Sequence, residues 1–176
     1  MVKPKLLLLS DLFGDNPEWI KYYIKILAPQ FDVKYYDVLK IAEIGSLKNE
    51  AEIHNRFLDG GIEKAVNNLL NYEKEKVVIL GFSIGGTIAW KASLSGLRTT
   101  YLFAVSSTRL RYETKSPDCA VKLYFGENDL NKPSSKWFLD LDLENIILNN
   151  QGHQLYMNQN TASLICDDIL KYVTVN

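Results

Sequence analysis

The feature that most constrains this chain is an alternation. Short, continuous apolar runs at residues 5–9, 31–36, 76–80, 99–105, 120–125 and 145–148 are separated by stretches of helical character. Trp19, Ile20, Tyr23, Ile24 and Leu27 recur at helical spacing in a segment opening near Pro17, and a proline suits a first helical turn. Further helices are expected over 51–72, broken at Gly60-Gly61, over 85–94, briefly over 133–139, and over 161–173; residues 37–50 read as irregular. A strand that is apolar at every position has both faces covered, so the pattern predicts an α/β fold with three αβα layers. The sheet should be mostly parallel, with about six strands and right-handed crossovers.

With 176 residues the chain suits one domain, taken as 1–176. A formal net charge of −1 gives no electrostatic reason to expect nucleic acid or an anionic membrane as partner. Lys3 and Lys5 precede Leu6 to Leu9, but Ser10 and Asp11 end that run before it reaches the roughly 7–15 residues of a secretory leader's apolar region. Nothing approaches the roughly 20 apolar residues of a membrane span. A soluble, cytoplasmic protein is expected. Cys119 and Cys166 have no metal-ligand spacing and read as reduced thiols, and no metal or cofactor is called for.

In parallel sheets of this kind ligands bind beyond the carboxyl ends of the strands, so the residues after each apolar run hold the chemistry. After the third comes Gly81-Phe82-Ser83-Ile84-Gly85-Gly86, a G-x-S-x-G sequence. This pattern lets a serine sit on a sharp strand-to-helix turn with its hydroxyl exposed, beside free N–H groups that can stabilise a developing anion. After the fifth run comes Gly126-Glu127-Asn128-Asp129, and after the sixth Asn150-Gln151-Gly152-His153. A serine hydroxyl is a weak nucleophile until an imidazole takes its proton, and a carboxylate best holds that imidazole. The order Ser…Asp…His, in a chain with only two histidines, puts all three groups at strand ends. Asp118, Asp140 and Asp142 precede strands and lie at the wrong end. His54, in an amphipathic stretch, is expected to be structural.

On these pieces the chain resembles the α/β-hydrolase superfamily over nearly its whole length. The resemblance implies Ser83 as nucleophile, Asp129 as orienting acid and His153 as general base. It implies an oxyanion hole made by the backbone N–H groups of Leu12 and Ile84. The expected reaction is hydrolysis of a small carboxylic ester or thioester. Ser10-Asp11 stand where many members carry His-Gly. The wording Asp11-Leu12-Phe13-Gly14 is nearer the Glu-Ile-Phe-Gly of dienelactone-hydrolase-like members, whose nucleophile is normally cysteine rather than a serine such as Ser83. The first strand corresponds to the family's third, giving a reduced fold. Asp11, Phe82, Arg109 and Arg111 are candidate substrate contacts, an arginine being suited to a carboxylate or phosphate. The dozen residues between the fourth and fifth strands are too few for a cap, unless 37–50 and the helix after it cover the pocket. Two other readings fit a parallel sheet. A non-catalytic binding module would not need all three groups, and a flavodoxin-like domain would want a phosphate loop where Asp11 and Asp15 stand.

Overall fold

A computed structural model describes residues 3–45 and 49–175. Six strands form one sheet in the order β2-β1-β3-β4-β5-β6, and every neighbouring pair is parallel. They are β1 (Lys5–Leu9), β2 (Asp32–Tyr36), β3 (Val77–Phe82), β4 (Thr99–Val105), β5 (Ala120–Gly126) and β6 (Glu144–Leu148). Burial follows position in the sheet. All six residues of β3 are buried, whereas the edge strands β2 and β6 are half exposed, which is why β3 reads as an unbroken apolar run.

Strand alternation divides the core in two. Leu6 and Leu8, Val78 and Leu80, and Phe103 and Val105 face the helices α1 (Ile20–Leu27) and α7 (Gln159–Val175). Leu7 and Leu9, Val77 and Ile79, and Leu102 and Ala104 face α4 (Ile62–Tyr72), α5 (Ile84–Leu94) and α6 (Ser135–Asp140). The result is three αβα layers. The central helix α5 is apolar almost all round, with Ile84 through Trp90 entirely buried, as a helix enclosed by its neighbours should be.

Two local readings need correction. The stretch 37–50 is not irregular throughout: Val38–Ile41 form the short helix α2, because the Asp37 side chain accepts the backbone N–H of Leu39 and Lys40 and so caps its first turn. Residues 46–48 of that stretch lie outside the described residues. The helix before Gly60 starts one residue earlier than expected, as α3 (Glu50–Arg56), with Asn49 as its cap. The break falls where the glycines predict it, Gly60 taking a φ of 88°.

Candidate active site

The turn from β3 into α5 is built for close approach. Ser83 has φ 51° and ψ −117°, a conformation that costs a non-glycine residue about 1–3 kcal/mol. Its N–H still donates to the Val105 carbonyl at 2.8 Å. A Cβ on Gly81 would stand 2.6 Å from the Gly86 backbone, and one on Gly85 would overlap the Ser10 carbonyl oxygen. Both glycines are therefore dictated by packing, which lets the turn be this tight.

The loops after β5 and β6 are stitched together. Asn128 N–H donates to the Gln151 carbonyl at 2.8 Å, and Asn150 N–H to Glu127 Oε2 at 2.9 Å. This brings Asp129 Oδ2 to 2.7 Å from His153 Nδ1, while His153 Nε2 lies 3.1 Å from Ser83 Oγ. Burial pushes the Asp129 carboxyl up, but the His153 hydrogen bond and the Asn131 N–H outweigh it, with help from the His153 and Lys132 charges, and hold it below its ordinary range. An ionised carboxylate only accepts, so in the neutral ring Nδ1 is the protonated nitrogen and Nε2 presents its lone pair to Ser83.

These groups line one cleft of about 300 Å³ at the carboxyl ends of the strands. Leu12 and Ile84 line it too, and among the described residues neither N–H donates to any protein acceptor. Asp11 forms part of the wall, 2% exposed, and accepts hydrogen bonds from Tyr156 OH at 3.1 Å and Phe13 N–H at 3.2 Å. Burial raises its carboxyl above the usual range, and those two bonds and His153 offset this only in part.

Two candidate contacts are not in the cleft. Phe82 shares a strand face with Val78 and Leu80, and alternation turns it into an aromatic cluster with Trp19, Tyr23 and Tyr156. Arg111 holds its own loop, donating to the carbonyls of Thr108 and Asn131 and to Tyr112 OH. Arg109 does line the cleft. Glu50 and His54 of α3 also line it, so this helix contributes a wall and His54 faces the cleft. Thr87 and Tyr156 were missed as well. The signals were spacing: Thr87 follows Ser83 by one helical turn, and Tyr156 follows His153 by three residues.

Among the described residues no group of three or more His, Cys, Asp or Glu side chains is placed to hold a metal ion, and no helix is long and apolar enough to cross a membrane. Cys119 is half-buried and Cys166 buried, neither in a disulfide.

No family model matches the sequence. A curated relative, the uncharacterized protein YczH of Bacillus subtilis, is 29% identical over 134 residues, covering 70% of this chain and 63% of its own. This chain thus matches less than two thirds of that relative's length. Solved structures are similar throughout. A predicted CIB-like hydrolase from Thermoplasma acidophilum superposes with a TM-score of 0.73 at 18% identity, over 94% of this chain and 86% of that one. A serine hydrolase involved in carbazole degradation gives 0.69 at 14% identity, over 99% and 93%. A dienelactone hydrolase-like promiscuous phosphotriesterase, P91, from metagenomic libraries gives 0.69 at 13% identity, over 97% and 87%. At such identities the likeness speaks to architecture: the chain has the fold of the α/β-hydrolase superfamily.

Proposed function

We propose that this chain is a serine hydrolase that cleaves a small carboxylic ester or thioester through an acyl-Ser83 intermediate. The observation that carries this reading is the hydrogen-bonded line from Ser83 Oγ through His153 to Asp129 at the amino terminus of α5. In the first step Ser83 Oγ attacks the carbonyl carbon and its proton passes to His153 Nε2. Asp129 stabilises the imidazolium so formed. The tetrahedral oxyanion is met by the N–H groups of Leu12 and Ile84, at the positive end of the α5 dipole. Collapse breaks the bond to the leaving alkoxide or thiolate, which takes the proton from Nε2. Water then repeats the sequence on the acyl-serine, releasing the acid and restoring Ser83. The hydrolase names of the structural neighbours agree with this chemistry.

Turnover of p-nitrophenyl acetate and butyrate tests the proposal. Wild-type protein should hydrolyse both, and Ser83→Ala should reduce turnover to background while leaving the fold, read by circular dichroism, unchanged. Equal turnover by the variant would refute it.

A further inference from the structure

Thr87 stands one helical turn beyond Ser83 on the wall of the same cleft. It is 1% exposed, and its Oγ1 has no hydrogen-bond partner among the described residues. A threonine inside a helix ordinarily returns its hydroxyl to a carbonyl three or four residues back. This one does not, and an unpaired buried hydroxyl is a standing cost to the fold.

Arg109, from the 3₁₀ turn Thr108–Tyr112 that follows β4, lines the same cleft. Its guanidinium rests against the Tyr112 ring, 5.4 Å from the centroid, and among the described residues it makes no ion pair. Of the carboxylates on the cleft wall, Asp129 is engaged by His153 and Asn131 and Asp11 by Tyr156 and Phe13, while Glu50 makes no ion pair with Arg109 among the described residues. A buried, unpaired hydroxyl in the cavity wall and a guanidinium without an ion pair thus belong to one small cavity, both offering donors.

We propose that Thr87 and Arg109 form a subsite for a carboxylate carried by the substrate in addition to the bond that is cleaved. This rests on the hydrolase reading and narrows it to half-esters and half-thioesters of small dicarboxylic acids. A carboxylate offers two oxygens, which a guanidinium and a hydroxyl can share. Asp11, Glu50 and Asp129 also line the cleft, so a phosphate near two negative charges meets more repulsion than a carboxylate with one. A volume of about 300 Å³ lies at the small end of ligand clefts and suits a short acyl group.

The test compares mono-p-nitrophenyl glutarate with p-nitrophenyl valerate, which has the same acyl length and no charge, and with the corresponding phosphonate-ended ester. The readout is the ratio of kcat/KM values, in which a general loss of turnover cancels. Wild type should favour the glutarate over both others. Arg109→Gln should cut the glutarate-to-valerate ratio about 10- to 100-fold, the range for a charge-assisted hydrogen bond. Thr87→Val should cut it less, yet raise Tm by about 2–4 °C, since an unpaired buried hydroxyl is removed. Binding of monomethyl glutarate to Ser83→Ala, with and without Arg109→Gln, is measured by calorimetry in parallel. No turnover of any ester, with binding that depends on Arg109, would remove the hydrolase reading and keep the subsite. Selectivity and binding both indifferent to Arg109, or a preference for the phosphonate, would overturn the carboxylate subsite and leave the hydrolase reading standing.

Discussion

Asp11 and Glu73 are buried almost equally, 2% and 3% exposed, and the molecule treats them in opposite ways. Glu73 follows α4 and closes an ion cluster: its carboxylate meets Lys5 Nζ at 2.6 Å and Lys34 Nζ at 2.9 Å and accepts Tyr36 OH. Burial pushes its carboxyl up, but Lys5, Tyr36 and Lys34 more than reverse this, so it is held low. Asp11, in the cleft, has only neutral donors bonded to it and is held high. The contrast extends to the surroundings. On the cleft wall lie Ser83, with its positive φ, and the unpaired hydroxyl of Thr87. Where charge serves the fold, it is closed on itself. The cleft holds strain and open valences that a stable fold has no use for, the combination expected where a protein engages a ligand.

Three substitutions sharpen this comparison. The largest effect is expected at the cleft: Asp129→Asn should lower kcat for p-nitrophenyl esters by about 10⁴-fold, as loss of the acid does in a well-studied triad, with a near-normal urea midpoint. Retained activity would mean that another group orients His153. Glu73→Gln should do the reverse, leaving esterase rates intact and costing about 1–3 kcal/mol in urea unfolding, discounted from a fully buried pair because Lys34 is half exposed. Because the Glu73 carboxyl is lowered in the folded state, its stabilisation is present above the ordinary glutamate range and is lost as pH falls through the folded value. The gap between wild type and variant should therefore close in acid. The smallest effect is expected for Asp11→Asn. A raised carboxyl gives stability that is present below the ordinary aspartate range and lost as pH rises through the folded value. Wild type should accordingly lose stability relative to the variant as pH rises toward neutrality, by less than about 1 kcal/mol at such a hydrogen-bonded site.

Much of the architecture was legible in the chain. The interior strands announce themselves because both faces are buried, and β4 runs over the residues its apolar run marks. The helix α2 was not legible, since four residues are too few to show a period and only the Asp37 cap betrays it. The strand-end rule led to the neighbourhood of Ser83, Asp129 and His153, which do lie within hydrogen-bonding reach. It could not find Glu50 and His54, which reach the cleft from a helix far away in sequence, nor distinguish Arg109 from Arg111, whose difference lies in which carbonyls are nearby. Phe82 misled because adjacency in sequence to Ser83 is not adjacency in space: along a strand it means the opposite face.

A fluorophosphonate reports whether Ser83 is the activated nucleophile proposed above, without knowledge of the substrate. Intact-mass spectrometry after treatment, followed by peptide mapping, should show a single adduct, on Ser83. The adduct should be absent from Ser83→Ala and form far more slowly in His153→Ala, which lacks the base. No adduct on the folded wild-type protein, or one on another residue, would contradict the account.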